Sequence, residues 1–304
     1  MTKITTYLEE LRAPFFTGAV VPLVLGAIVA WHQTGDMKWG LFFLTLFGGV
    51  ILHAAANVAN DYFDHKSGND EANTEFVRPF TGGSRVIQVG KLPPAKVLTE
   101  AIVLYALALL IGIFLIWKSG IWVLILGVFG ALTGFFYTAP PLRFVHRGIG
   151  EIFIGLNFGI FMVLGSYYVQ TSQLAWEPVI IAVPVAILII MILFINEFQD
   201  ANADASVGKN QWVVRLGKAN SARLYTIMVA LVYLSVGIAV LLKLVPASTL
   251  LILLSLPIAL KAVSITNKFH SDSQKLIPAN ASTILLHLLA GVLLSIGYVI
   301  DKLV

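Results

Sequence analysis

Residues 42–70 read FFLTLFGGVILHAAANVANDYFDHKSGND, and this stretch decides how the rest of the chain is understood. Its first part is apolar enough to be buried in lipid. Its end presents Asn57, Asn60, Asp61, Asp64 and Asp70 within a few turns. Anions at the C-terminal end of a helix oppose the helix macrodipole, which favours cations there. Something positive is therefore expected to be bound.

The 304-residue chain is 58% hydrophobic and only 12% charged, with a mean hydropathy of +0.87. Soluble domains run at roughly 25% charged residues, so the composition is that of an integral membrane protein of helical type. Cysteine is absent, which removes disulfides and thiolate metal sites. The N-terminal MTKITTYLEELRAPFF lacks the apolar core and cleavage site of a signal peptide and reads as an amphipathic lead-in to the first span.

Apolar blocks long enough to cross about 30 Å of hydrocarbon fall at residues 14–32, 39–60, 97–117, 120–138, 149–169, 178–198, 221–242, 246–266 and 282–300. The expected fold is an all-α membrane bundle of nine transmembrane helices around a central cavity, forming one domain over residues 1–304. With the N-terminus in the cytoplasm, sixteen of the twenty Lys and Arg residues lie on the cytoplasmic side, and Lys38, Lys118, Lys243 and Lys302 on the other. This positive-inside asymmetry puts the polar loops in the cytoplasm and the C-terminus on the opposite side. The net charge of +4 thus reflects topology and gives no reason to expect a nucleic-acid partner.

Half of the sixteen carboxylates sit in two places, after the second and the sixth expected helices. Asn57, Asp61 and Asp64 share one helical face, and Asn196, Asp200 and Asp204 share another. His53 lies one turn deeper on the first face. The two motifs are 139 residues apart, and each precedes a similar phrase, RVIQVGK at 85–91 and WVVRLGK at 212–218. The chain reads as an imperfect duplication with halves at about 14–138 and 149–266, followed by the ninth helix at 282–300. Membrane proteins built from repeats commonly place their site between the copies.

Two facing carboxylate-and-amide surfaces suit a hard divalent ion, and Mg²⁺ in particular is held by a few carboxylates together with substrate phosphate oxygens. Asn57, Asp61, Asp64, Asn196, Asp200 and Asp204 are the candidate ligands. The adjoining loops supply bases, namely Lys66, Arg78, Arg85 and Lys91 after the first motif and Lys209 and Arg215 after the second. These can neutralise a diphosphate, and TGGS at 81–84 can bring backbone N–H groups toward it. Acids for a metal beside bases for phosphate point to a diphosphate ester. A lone Asp-x-x-Asp would more simply be a solvated helix end, and Asn157 in the fifth helix reads as a bond between helices.

These residues resemble the UbiA superfamily of intramembrane aromatic prenyltransferases, over essentially the whole chain. The first family motif, N-D-x-x-D-x-x-x-D, is matched by Asn60, Asp61 and Asp64, but Gly68 stands where its last Asp would fall. That departure, with LRAPFFTGAVVPLVLG, YTAPPLRFVHRGIGE at 137–151 and GSYYVQT at 165–171, is similar to the branch that prenylates 1,4-dihydroxy-2-naphthoate in menaquinone biosynthesis. The resemblance implies transfer of a polyprenyl group from its diphosphate to an aromatic acceptor, with Mg²⁺ held by Asp61, Asp64, Asp200 and Asp204. It implies Asn57, Asn60, Lys66, Arg78, Arg85, Asn196, Lys209 and Arg215 for the diphosphate and membrane lipid around the prenyl tail.

An allylic cation left by the departing diphosphate needs a dry cavity and a π-face, for which Tyr137 is the candidate. Arg143 and Arg147 could receive an acceptor carboxylate, with His53 facing the same space, although positive-inside topology also places arginines there. Other acceptors remain open, among them 4-hydroxybenzoate, a chlorophyll precursor, haem or a glycerol phosphate lipid. A cation-coupled transporter is the alternative from another class, but its carboxylates belong near the bilayer midplane.

Overall fold

The computed structural model describes residues 3–304, with side chains from Thr5 onward. A short helix, α1 (Lys3–Glu10), leads into α2 (Ala13–Thr34), and the chain then runs through α3 (Trp39–Ser67) and a single turn, α4 (Asn69–Ala72). A polar loop precedes α5 (Pro94–Ser119), which is joined to α6 (Ile121–Phe135) by Gly120 alone. After α7 (Phe144–Arg147) come α8 (Gly150–Thr171) and α9 (Trp176–Ser206), then α10 (Trp212–Leu216), α11 (Lys218–Leu241), α12 (Ala247–Phe269) and α13 (Ile277–Leu303). Among the described residues there is no strand.

Eight of these helices are long and apolar enough to cross a membrane. The fourth of the nine expected crossings, 120–138, forms the 15-residue α6. At 1.5 Å per residue it spans about 22 Å, short of a full hydrocarbon thickness of about 30 Å. Its continuation turns at residues 136–143, where Pro140 and Pro141 have no N–H to extend a helix.

The two motif-bearing helices differ from their expected ends in the other direction. α3 has 29 residues and α9 has 31, about 43 and 46 Å of helix, so their last turns stand clear of the hydrocarbon. This puts Asp61, Asp64, Asp200 and Asp204 at the boundary rather than at mid-depth. α3 stops at Gly68, whose φ of 77° lets its N–H reach back to the carbonyls of Asp64 and His65. A residue with a Cβ is strained in that left-handed conformation. The Gly68 departure from the family pattern is thus the helix stop itself.

The eight long helices and α6 close into a ring in which each packs on the next in the order α3, α5, α6, α8, α9, α11, α12, α13 and α2, with α2 returning to α3. The main core joins α2, α8, α9, α11, α12 and α13 around Leu25, Ile181, Phe194, Tyr225 and Leu286. Gly155 and Gly159 sit in a stretch of α8 that widens to a π-helix and lies directly against Ala186 and Ile190 of α9. On the opposite side, α5 packs along α3, and α5 and α6 expose Leu109, Leu110, Trp117 and Ile125. Between them, α3 and α8 lies a cavity of about 240 Å³ whose walls include Gly48, Gly112, Gly127 and Gly130.

Candidate active site

The two acidic motifs, 139 residues apart in sequence, meet at one end of the bundle. Lys209, in the loop after α9, joins them: its ammonium lies 2.9 Å from Asp64 Oδ1 and 3.4 Å from Asp204 Oδ1. Lys209 is 4% exposed, and Asp64 and Asp204 are buried beside it. Burial pulls the Lys209 ammonium down, but the charges of Asp64, Asp204 and Asp70 outweigh that and hold it above the ordinary lysine range.

Each of the other motif aspartates has its own partner. Asp61 Oδ2 accepts the backbone N–H of Ser84 at 2.8 Å, and its Oδ1 faces Arg12 at 3.8 Å without a hydrogen bond. One of the TGGS amides is therefore already committed to Asp61. Asp200 Oδ1 accepts from the amide of Asn73 at 2.6 Å. Asn196 Oδ1 accepts from the buried Asn280 of α13, which also exchanges hydrogen bonds with Gln199. Asn57 donates to the Leu11 carbonyl at 3.3 Å, which ties α3 to the lead-in segment.

Asp70 lies beyond the helix stop, yet α4 carries it back to the site. Burial, reinforced by the charges of Asp64 and Asp61, pushes its carboxyl up to about 8. Gln88 donates to Asp70 Oδ2 at 3.1 Å, and Arg85 bonds the Asp70 carbonyl while its guanidinium covers the Phe76 ring. Glu10 of α1 is fully buried, accepts from the Ser84 hydroxyl at 2.8 Å, and is pushed up to about 9 by burial and by the nearby charge of Asp61.

Several bases expected near a diphosphate are engaged elsewhere. Arg78 and Lys91 both pair with Glu9 of α1, at 2.9 and 2.6 Å. Lys66 is exposed. Arg215 bonds the carbonyls of Asn210 and Arg147, and Arg147 bonds that of Leu142, so both brace the loops. Arg143 is exposed at a left-handed turn. Asn60 is half-buried. Tyr137 lies against Gly150, where any Cβ would come within 2.7 Å of its ring, and its hydroxyl accepts weakly from Gln211 at 3.4 Å. His53 is buried between the rings of Phe16 and Phe158.

The profile of the UbiA prenyltransferase family matches residues 19–298. This chain belongs to that family. It is 28% identical over 295 residues to the 2-carboxy-1,4-naphthoquinone phytyltransferase of Synechocystis, covering 96% of this chain and 92% of that relative. It is also 28% identical over 293 residues to the 1,4-dihydroxy-2-naphthoate octaprenyltransferase of Bacillus subtilis, covering 95% and 91% of the two chains. A solved UbiA homologue of Archaeoglobus fulgidus, bound to GPP and Mg²⁺, superposes with a TM-score of 0.62 over 95% of this chain and 99% of the other, at 13% identity. That likeness is one of fold.

As a UbiA prenyltransferase, the chain is a multi-pass membrane enzyme. Among the described residues no three carboxylates or imidazoles converge as they stand into a cluster that could hold a metal ion. The donor chemistry nevertheless fits a hard divalent ion, because the carboxylates of both motifs and the amide oxygen of Asn73 gather at this end of the bundle. The Asp61 Oδ1 and Asn73 Oδ1 atoms are buried there without hydrogen-bond partners. Residues that the sequence did not single out complete the site: Asn73, Glu10, Arg12 and Asn280. The lone Asn280 in the apolar run IPANASTILLHLL is the one that carried a readable signal.

Proposed function

We propose that this UbiA enzyme transfers a polyprenyl group from its diphosphate to an aromatic acceptor with Mg²⁺, and that the acceptor is 1,4-dihydroxy-2-naphthoate on the way to menaquinone. The observation that carries this reading is the Lys209 bridge between Asp64 and Asp204, which makes the two acidic motifs one site, while an apolar cavity reaches Ala56, next to Asn57 in α3. Both relatives described above are named for naphthalene acceptors that bear a carboxylate. The active-site loops then face the cytoplasm, as the distribution of basic residues expects.

Asp61, Asp64, Asp200 and Asp204, with Asn57 and Asn196, would hold the metal, which supplies charge neutralisation to a departing diphosphate. Lys209 and Arg85 approach the same anion from the loops. The prenyl tail lies in the cavity between α3, α5, α6 and α8, open to lipid on the α5–α6 side. Tyr137 would offer its π-face to the allylic carbon as the C–O bond breaks. Arg143 and Arg147 are the candidates for the acceptor carboxylate, with His53 deeper in the pocket. Tail in lipid, diphosphate at the acidic motifs and acceptor beside it give a reason for building the enzyme within a membrane.

Radiolabelled prenyl transfer in isolated membranes, with Mg²⁺ or EDTA and a panel of acceptors, tests the proposal. Metal-dependent labelling of dihydroxynaphthoate is expected. Labelling of another aromatic with dihydroxynaphthoate inert would overturn the acceptor assignment and leave the transfer chemistry standing. Full activity in EDTA would overturn the metal.

A further inference from the structure

We propose that Lys209 makes metal and diphosphate binding interdependent: in the free protein its ammonium is the counter-ion of Asp64 and Asp204, and phosphate oxygens must draw it off before a divalent ion can take both carboxylates. This deepens the function proposed above and rests on it.

Lys209 is 4% exposed and its ammonium contacts one carboxylate from each motif. A buried ammonium separated from its partners is strongly unfavourable, because neither water nor another anion replaces them. A dication arriving alone would compete for the same oxygens and also stand beside the displaced positive charge. A diphosphate arriving alone would meet Asp61, Asp64, Asp70, Asp200 and Asp204 with Lys209 still tied down. Arriving together they resolve both conflicts, since the metal takes the carboxylates and the phosphate oxygens take the ammonium.

The backbone around Lys209 is built to let only the side chain move. Its N–H is bonded to the Asp204 carbonyl at 2.9 Å. The neighbouring Asn210 is pinned through its backbone to Val145 and through its side chain to the His146 carbonyl. Gly208, at φ 78°, forms the turn that aims the following residue back into the bundle. A four-carbon stem on a fixed backbone can exchange one anion for another by rotamer change alone. Arginine keeps the charge but has a different reach and shape.

Such coupling is reciprocal: each ligand raises the affinity for the other by the same factor. The test uses Mn²⁺ as the metal probe and inorganic pyrophosphate as the anion. Protein-bound Mn²⁺ is measured by EPR on purified protein in detergent at controlled free Mn²⁺. Lys209→Met is expected to bind Mn²⁺ alone tighter than wild type by about tenfold or more, a typical size for coupling between sites. Pyrophosphate is expected to tighten Mn²⁺ binding in wild type and far less in Lys209→Met. Lys209→Arg should stay close to wild type in both arms. Lys209→Gln, neutral and polar, repeats the measurement if the methionine variant does not fold.

Wild type that binds Mn²⁺ while the neutral variants bind it no tighter overturns the role given to Lys209. Mn²⁺ binding unchanged in Asp64→Asn and Asp204→Asn instead overturns the metal site itself, so the two failures are distinguishable.

Discussion

Gly83→Ala and Gly90→Ala form a matched pair that isolates what the TGGS loop does for Asp61. Both glycines have positive φ, 68° and 71°, so an alanine at either position is strained by about 1–2 kcal/mol. At Gly90 a Cβ meets nothing within 4 Å. At Gly83 it would fall 2.8 Å from Asp61 Oδ1 and 3.3 Å from its Cγ. That is about 0.5 Å inside an ordinary carbon–oxygen approach of roughly 3.3–3.6 Å. Asp61 cannot simply turn aside, because its other oxygen accepts the Ser84 N–H at 2.8 Å.

Either the loop lifts and that charge-assisted bond, worth about 1.5–3 kcal/mol, is weakened, or the carboxylate shifts. Misplacement by about 1 Å can cost on the order of a hundredfold in rate, so a shift of half that size implies about a tenfold loss. Prenyl transfer normalised to folded protein, with thermal unfolding in detergent alongside, reads both effects. Gly90→Ala should lose stability but keep kcat/KM near wild type. Gly83→Ala should lose more stability and roughly tenfold or more in kcat/KM. Equal Tm and equal kcat/KM in the two variants would refute the claim that this loop positions Asp61.

Asp61→Asn and Asp200→Asn should each lower transfer by roughly a hundredfold or more, the scale of one lost preorganised electrostatic contact, while folded protein accumulates in membranes; wild-type turnover in either would remove that residue from the metal site. Glu10 binds its proton more tightly in the fold, at about 9, than its ordinary value of 4.5. Its contribution to stability is therefore full below about pH 4.5 and is lost as pH rises through about 9, and Glu10→Gln should flatten that decline in a pH series of unfolding midpoints. A parallel decline in the variant would assign it to other groups. Asn280→Leu leaves Asn196 Oδ1 and Gln199 Oε1 without their partner in the core, while the Gln199 amide N–H keeps the Ser273 carbonyl. It should destabilise by about 2–6 kcal/mol, at roughly 1–3 kcal/mol for each of the two stranded groups, and a loss under about 1 kcal/mol in micelle unfolding would show that the network relaxes.

The positions of the spans were legible because lipid burial leaves long uninterrupted apolar runs, and the pairing of motifs because Asn57, Asp61 and Asp64 and their counterparts keep helical spacing. What the spacing does not encode is which loop atoms reach the motifs. Asn73, Ser84 and Lys209 sit in irregular segments without periodicity, and their contacts join residues 23 to 145 positions apart. The same limit explains Arg78 and Lys91. A count of bases placed them near a diphosphate, but α1 offers Glu9 to both. Asn157 is the reverse case: read as a bond between helices, it donates from α8 to Thr133 of α6 at 2.5 Å.

The apolar cavity between α3, α5, α6 and α8 separates an enzyme from an ion carrier on physical grounds. An ion crossing the bundle needs ligands beyond the two motifs, since removing a charge from water without replacement costs several kcal/mol at the least. The polar side chains lining the cavity are Thr45, Tyr105, Asn157 and Ser166, and none is charged. The hydroxyls of Thr45 and Ser166 donate to the carbonyls of Leu41 and Leu23, and the amide of Asn157 donates to Thr133. A cation leaving Asp64 and Asp204 for this space would meet mostly aliphatic, aromatic and glycine surface. A long apolar chain would be at home there. A molecule with an anionic head and an apolar tail would suit both parts at once, its head among the aspartates, cations and loop amides and its tail against Gly48, Gly112 and Phe158.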